Sequence, residues 1–356
     1  MPLIVDGNQV PSRWLERKRA TRVDPSYGRG ARSKFVRIAL INNMPDSALE
    51  DTELQFFELL DAASEDLPVL LKLYSLTGVP RSDRGMRHLN SFYFDLAELW
   101  ASDSDGVIIT GTEPHHANLK DEPYWSHLSN VLDWAERSTA STILSCLAAH
   151  ASVLHSDGIT RHRLSDKQFG VFRSERVGAH LLVDKLGSSA DFPHSRWNEV
   201  CESDLEASGY TVLTKSSAAG VDMFVKKKSR SMFVYFQGHP EYGSQTLFKE
   251  YRRDVKRFLK GERETYPTMP VGYFNPKAVG LLNEFQDGAV VSRRENFIDG
   301  FPESVCENLS SKWHVTASSI YRNWLNHLAH ETQDSKNTPF ARTRVARHVS
   351  VNSEIA

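Results

Sequence analysis

From Phe35 onward the apolar positions switch repeatedly between two periods. VRIALINN (36–43) is a continuous apolar run of strand length, whereas SALEDTELQFFELLDAAS, after Met44-Pro45, spaces its apolar residues as one face of a helix does. LKLYSL (71–76) predicts a strand, and Phe92 to Trp100 a helix. DGVIITG (105–111) predicts a strand ending in glycine. Pro123 to Arg137 predicts a helix with Trp125, Leu128, Val131, Leu132 and Trp134 as its apolar positions. STILSC (141–146) is again strand-like, and LAAHASVLH (147–155) again helical until Asp157-Gly158 stops it. This rhythm predicts an α/β protein with a parallel-dominated open sheet and helices on both faces.

Beyond Gly158 the texture changes. FGVF (169–172), GYTVLTKS (209–216), VDMFVKKK (221–228) and SMFVYFQG (231–238) read as strands with short turns, a possible antiparallel addition to the parallel sheet. KKKSR (226–230) reads as a charged turn. Ser244 to Lys260 predicts a helix, 262–304 is mixed, and SIYRNWLNHLAHET (319–332) predicts a last amphipathic helix. One domain over 35–332 is expected. Residues 1–34 form an irregular basic extension carrying Arg17, Lys18, Arg19, Arg22, Arg29, Arg32 and Lys34, read as a surface arm or, alternatively, a phosphate-binding one. The polar tail, 333–356, reads as mobile.

Composition narrows the function classes. The chain has 356 residues, 40% hydrophobic and 25% charged, with net charge -2. That balance does not point to nucleic acid as the main partner. No apolar run approaches the roughly 20 residues that span a bilayer, and the first residues lack a basic-then-apolar leader pattern. The three cysteines, Cys146, Cys201 and Cys306, have no CxxC spacing. They suggest reduced thiols and a cytoplasmic setting rather than a disulfide framework or zinc ribbon.

In open α/β sheets ligands bind outside the carboxyl ends of the strands, and three stretches fall there. Cys146 lies between a buried strand and a helix, where the helix dipole and free N–H groups stabilise a thiolate, and Ala148, Ala149 and Ala151 allow close helix packing. A small core cysteine is the plainer reading. In FQGHPEYG (236–243), His239 can take a thiol proton and Glu241 can orient the imidazole. A surface turn that happens to carry both is the alternative. TGTEP (110–114) can aim backbone N–H groups of Gly111 and Thr112 at a developing oxyanion, or simply connect strand to helix. A Cys-His-Glu triad accounts for all three. GxSxG, GxxxxGK[ST], HExxH and GxGxxG are absent from the sequence. The adjacent pair His115-His116 points its side chains apart with no ligand set at metal spacing, so no metal is expected.

At this level the chain resembles the homoserine O-succinyltransferase and O-acetyltransferase family of methionine biosynthesis, whose fold is that of class I glutamine amidotransferases. The resemblance runs from about Val36 to about His330. It rests on INNMPD (41–46), HLNSFYFDL (88–96), DGVIITG, YWSHLSNVLDW (124–134), the Cys146 elbow, KQFGVF (167–172), FPHSRWNEV (192–200), GHPEYGSQTLFKEYRRD (238–254) and NWLNHLAH (323–330). It implies ping-pong acyl transfer from an acyl-coenzyme A co-substrate, acetyl or succinyl, with no permanently bound cofactor. Cys146 would carry the acyl group, His239 would act as base and Glu241 would orient it. Lys167, Ser195 and Arg253 match the family's substrate-binding positions, and a guanidinium suits a carboxylate. The partners implied are small molecules and a second copy of the chain, with no nucleic acid and no membrane.

The sequence also departs from the family pattern. Leu147 stands where tryptophan is usual, His150 where glutamine is usual, and His115 where glycine or glutamate separates succinyl from acetyl donors. The expectation is a homoserine O-acyltransferase with an altered acyl pocket. Serine or another hydroxy-amino acid as acceptor, a Cys-His-Glu amidase or glutaminase, and a non-catalytic binding protein are the alternatives. The SCLAAHA elbow lacks the GxCxGxQ glycines expected of a glutaminase.

Overall fold

The apolar runs at 36–41, 106–109 and 141–145 lie at the heart of one ten-stranded sheet, covered on both sides, which is why they read as unbroken rather than alternating. The computed structural model describes residues 3–6, 11–17, 35–307 and 309–337. The strands are β1 (Leu3–Val5), β2 (Val36–Ile41), β3 (Val69–Tyr74), β4 (Gly106–Ile109), β5 (Ser141–Ser145), β6 (His162–Arg176), β7 (Ser189–Glu199), β8 (Thr211–Ser216), β9 (Gly220–Lys228) and β10 (Ser231–Phe236). Their spatial order is β1-β3-β2-β4-β5-β10-β9-β8-β6-β7. All five pairings from β1 to β10 are parallel. The four from β10 to β7 are antiparallel. The α/β class is as expected, and the strands after Gly158 form the antiparallel addition.

Helices cover both faces. On one side Ile38, Leu40, Ile108, Ile143 and Val234 meet α2 (Asp46–Ser64) and α10 (Trp313–Asn337), whose Trp324 is fully buried. On the other, Ala39, Ile41, Val107, Ile109, Leu144 and Tyr235 meet α5 (Trp125–Ser138) and α6 (Leu147–Asp157). Successive strand residues therefore supply opposite faces, and each fully buried aliphatic or aromatic side chain contributes about 1.5–3 kcal/mol. A third apolar cluster joins Phe169 and Tyr242 to α8 (Thr246–Leu259) and α9 (Pro276–Val291). Gly170 ties this cluster to the sheet extension. At φ 145° it lets Val271 approach so closely that a Cβ would stand 2.3 Å from the Val271 carbonyl oxygen. Val171 N–H donates to that oxygen at 2.8 Å, and Val271 N–H donates to Phe169 O at 3.0 Å.

Several elements differ from the periodicity reading. The helix expected over 92–100 is confined to α4 (Leu96–Leu99), while DRGMRHLNSF before it forms α3 (Asp83–Phe92). Each begins on a capping side chain: Ser82 accepts the Gly85 N–H, and Asp95 accepts the Ala97 N–H, which starts the chain afresh. Within the mixed region, Asn275 caps α9 and Pro276 follows inside the first turn. Lys226, Lys227 and Lys228 lie in β9 rather than in a turn, and Lys226 pairs with Asp157 at 2.7 Å. The basic extension is not wholly irregular. β1 pairs with β3, and Trp14 of α1 (Ser12–Arg17) meets the Phe57 ring at 5.2 Å. The remaining basic residues, 18–34, and the tail beyond 337 lie outside the described residues. No helix among the described residues is long and apolar enough to cross a membrane.

Candidate functional site

Parallel pairing of β5 with β10 brings Ser145 opposite Phe236. The residues that follow each strand, Cys146 and His239, therefore emerge side by side at the sheet's carboxyl edge. Cys146 sits at φ 50° and ψ −109°, a conformation that costs a non-glycine residue about 1–3 kcal/mol. It is held there from both sides. Its N–H donates to Phe236 O at 2.8 Å, and its carbonyl accepts the Ala149 and His150 N–H groups at 3.0 and 3.2 Å. The thiol is thereby turned out of the strand and set at the N-terminus of α6.

His239 is fixed by its backbone, whose N–H donates to Pro193 O at 2.8 Å, and by its ring, stacked on Tyr242 at 4.1 Å. Glu241 Oε1 lies 2.9 Å from His239 Nδ1 and accepts the Ser145 hydroxyl at 2.9 Å. Burial works against a charged imidazole. The Cys146 and Glu241 charges, with hydrogen bonds to both, nonetheless raise the His239 pKa well above the ordinary histidine range. Cys146, His239 and Glu241 are thus assembled as a thiol–imidazole–carboxylate set in which the imidazole favours its protonated form.

Lys167, Ser195 and Arg253 converge on a residue that the sequence reading missed, Glu250 of α8. The Ser195 hydroxyl donates to Glu250 Oε2 at 2.5 Å, Lys167 Nζ lies 3.3 Å from the same oxygen and 3.3 Å from Asp254 Oδ2, and Arg253 approaches Glu250 at 3.9 Å. The Tyr242 hydroxyl donates to Glu250 Oε1 at 2.6 Å, linking this cluster to the ring stacked on His239. Burial would raise the Glu250 carboxyl, but Lys167, with Ser195, Tyr242 and Arg253, holds it below the ordinary range. The legible signal was the spacing of Glu250, Arg253, Asp254 and Arg257 on one helix face.

The loop after β4 meets the elbow directly. A Cβ on Gly111 would stand 2.9 Å from Leu147 Cβ and 3.0 Å from Leu147 N, so only glycine allows this approach. Leu147 opens α6, where N–H groups have no intrahelical partner, but its side chain packs in the core beneath. Thr112 is half-buried and Glu113 pairs with Arg257 at 3.7 Å. The His115 side chain is exposed. Its N–H and that of His116 both donate to Glu122 Oε1 at 2.7 Å, so Glu122 clamps the loop. Neither histidine joins a group of converging ligand atoms among the described residues. One such group does occur, His162, Cys201 and Asp204, with ligand atoms within 4.8 Å of one another.

His150 is buried away from solvent and lies 2.9 Å from Gln237 Oε1, which also accepts the Val200 N–H at 2.9 Å. Burial pushes its pKa down to about 3, so it stays neutral in the native state. The unfolded side chain titrates near 6.5. Native stability is therefore full above that pH and falls as pH drops toward 3, because only the unfolded state takes up the proton. His150→Gln, which can keep the Gln237 contact, is expected to shrink the difference in unfolding free energy between pH 7.5 and 5.5 by about 1.4 kcal/mol, measured by urea titration. An unchanged difference would mean that His150 titrates in the folded protein.

Fold and geometry together define an α/β protein with a cysteine elbow, a thiol–imidazole–carboxylate set and an adjoining cluster of charged residues. The family model described as homoserine O-succinyltransferase matches residues 2–335. The homoserine O-succinyltransferase of Rhodopseudomonas palustris is 44% identical over 307 residues, covering 86% of this chain and 92% of that protein. That of Bradyrhizobium japonicum is 40% identical, covering 92% and 99%. The chain belongs to the homoserine O-succinyltransferase family. Among solved structures, a glutamine amido transferase from Methylobacillus flagellatus gives a TM-score of 0.47 at 13% identity, over 83% of this chain and 95% of that one.

Proposed function

We propose that the protein transfers a succinyl group from succinyl-coenzyme A to the side-chain hydroxyl of homoserine, through a thioester on Cys146. The observation that carries this reading is the strained Cys146 turn beside the His239–Glu241 pair, within a chain of this family. The Cys146 thiolate attacks the donor's thioester carbonyl, and the oxyanion faces the amides of Gly111 and Leu147. The carbon–sulfur bond to coenzyme A breaks, and the leaving thiolate takes the proton from His239. Homoserine then enters. Arg253 receives its carboxylate, with Lys167, Ser195 and Glu250 shaping the pocket. Neutral His239 takes the hydroxyl proton as the oxygen attacks the acyl carbon, and Cys146 leaves as thiolate. Succinyl is chosen over acetyl because the relatives named above carry that activity in their names.

A ping-pong sequence predicts that labelled free coenzyme A exchanges into succinyl-coenzyme A without homoserine present. Exchange that requires homoserine would point instead to direct transfer in a ternary complex.

A further inference from the structure

We infer that Arg161 is the donor-side anion site, holding the distal carboxylate of the succinyl group while its thioester end meets Cys146; the inference rests on the acyl-transfer reading above. Two guanidinium groups lie within electrostatic range of the Cys146 sulfur, Arg161 and Arg196. Arg196 is buried and fully occupied by the protein. Its guanidinium donates to Asn198 O at 2.8 Å and to Ala219 O, and lies 3.7 Å from Glu199. Arg161, just before β6, is only half-buried. Among the described residues it makes one hydrogen bond, a long one of 3.4 Å to Ala117 O. Ala117 belongs to the loop that starts at Gly111, so Arg161 touches that loop while remaining within electrostatic range of the thiol.

The surroundings of Arg161 are built rather than incidental. Glu122 and Tyr124 lie within its electrostatic range, and each is 3% exposed. The Tyr124 hydroxyl is buried with no hydrogen-bond partner, as is Glu122 Oε2. A buried hydroxyl without a partner is uncommon and calls for one. A carboxylate arriving beside Arg161 would supply an acceptor for both the guanidinium and that phenol. Glu122 carries the opposing charge, but its Oε1 is already held by the amides of His115 and His116. It fixes the loop on one side of Arg161. Arg163, another cation in range, is drawn off over the Trp197 ring at 4.5 Å.

The test is steady-state kinetics of Arg161→Gln with two donors, succinyl-coenzyme A and the succinyl thioester of N-acetylcysteamine, which lacks phosphates. KM is expected to rise by the same factor for both, roughly tenfold to a hundredfold for one charge-assisted contact. Product inhibition by free coenzyme A should be unchanged, and Arg161→Lys should recover part of the loss. A rise for succinyl-coenzyme A alone, with weaker inhibition by free coenzyme A, would overturn the assignment and place a phosphate at Arg161. An equal fall in kcat for both donors at unchanged KM would overturn it in favour of a role through the Cys146 thiolate. Acylation of the unaltered protein by succinyl-coenzyme A reports separately on the underlying reading: its absence would remove both, whereas its presence leaves only Arg161 in question.

Discussion

Cys146→Ala is expected to lower homoserine-dependent coenzyme A release by about four orders of magnitude or more, with the fold intact. The expectation follows from what remains after the sulfur is removed. In the proposed reaction the Gly111 and Leu147 amides would still face the carbonyl, and the charged cluster at Glu250 would still receive the acceptor. Neither provides a nucleophile, and the acyl group no longer has a place to reside between donor and acceptor. Alanine tolerates the φ of 50° no better than cysteine does, so the substitution adds no new backbone strain. Coupled spectrophotometric release of coenzyme A gives the rate, and a thermal melt checks the fold. A loss of only a few-fold would show that His239 activates homoserine directly and that Cys146 is a bystander.

Glu241→Gln carries the second-largest expected effect, a fall in kcat of roughly a hundredfold to ten-thousandfold with little change in donor KM. Glu241 Oε1 accepts from both Ser145 and His239 while Oε2 has no hydrogen-bond partner, so a glutamine oxygen can keep both contacts and the substitution removes chiefly the charge. The imidazole then loses the neighbouring negative charge that favours its protonated form. The pH profile distinguishes this from simple disorder. Glu241 is one of the groups that raise the His239 pKa, so the imidazolium persists above the ordinary histidine range in the native protein. Without that carboxylate the His239 pKa falls. The alkaline limb of the acylation half-reaction, read from coenzyme A exchange, is therefore expected to move to lower pH. A uniform loss at every pH would contradict this role of the charge.

How far the sequence could be read depends on how local each signal was. Cys146, His239 and the Gly111 loop could be located because each sits one to three residues beyond an apolar run, and strand ends are places that a pattern can find. The α9 helix was missed although Asn275-Pro276 announces it, since its apolar residues do not form a clean stripe. Three lysines in a row, Lys226–Lys228, suggest a solvated turn, yet Lys226 and Lys228 meet Asp157 and Ser156 from α6, and Lys227 donates to Arg230 O. Glu250, whose helix spacing gives only a partial signal, and Arg161 are hard to place for a different reason. Their surroundings are completed by distant partners, Ser195 and Lys167 at 55 and 83 residues for Glu250, and Ala117 at 44 for Arg161. His150, a departure from the family pattern, is a buried neutral partner of Gln237.

The central claim is that Cys146 carries the acyl group, and intact-mass measurement tests it most directly. Purified protein would be mixed with succinyl-coenzyme A, and separately with acetyl-coenzyme A, without acceptor. The account predicts a single succinyl adduct located on Cys146, absent from Cys146→Ala and discharged when homoserine is added. No adduct, while homoserine and succinyl-coenzyme A together still yield acylated product, would contradict it.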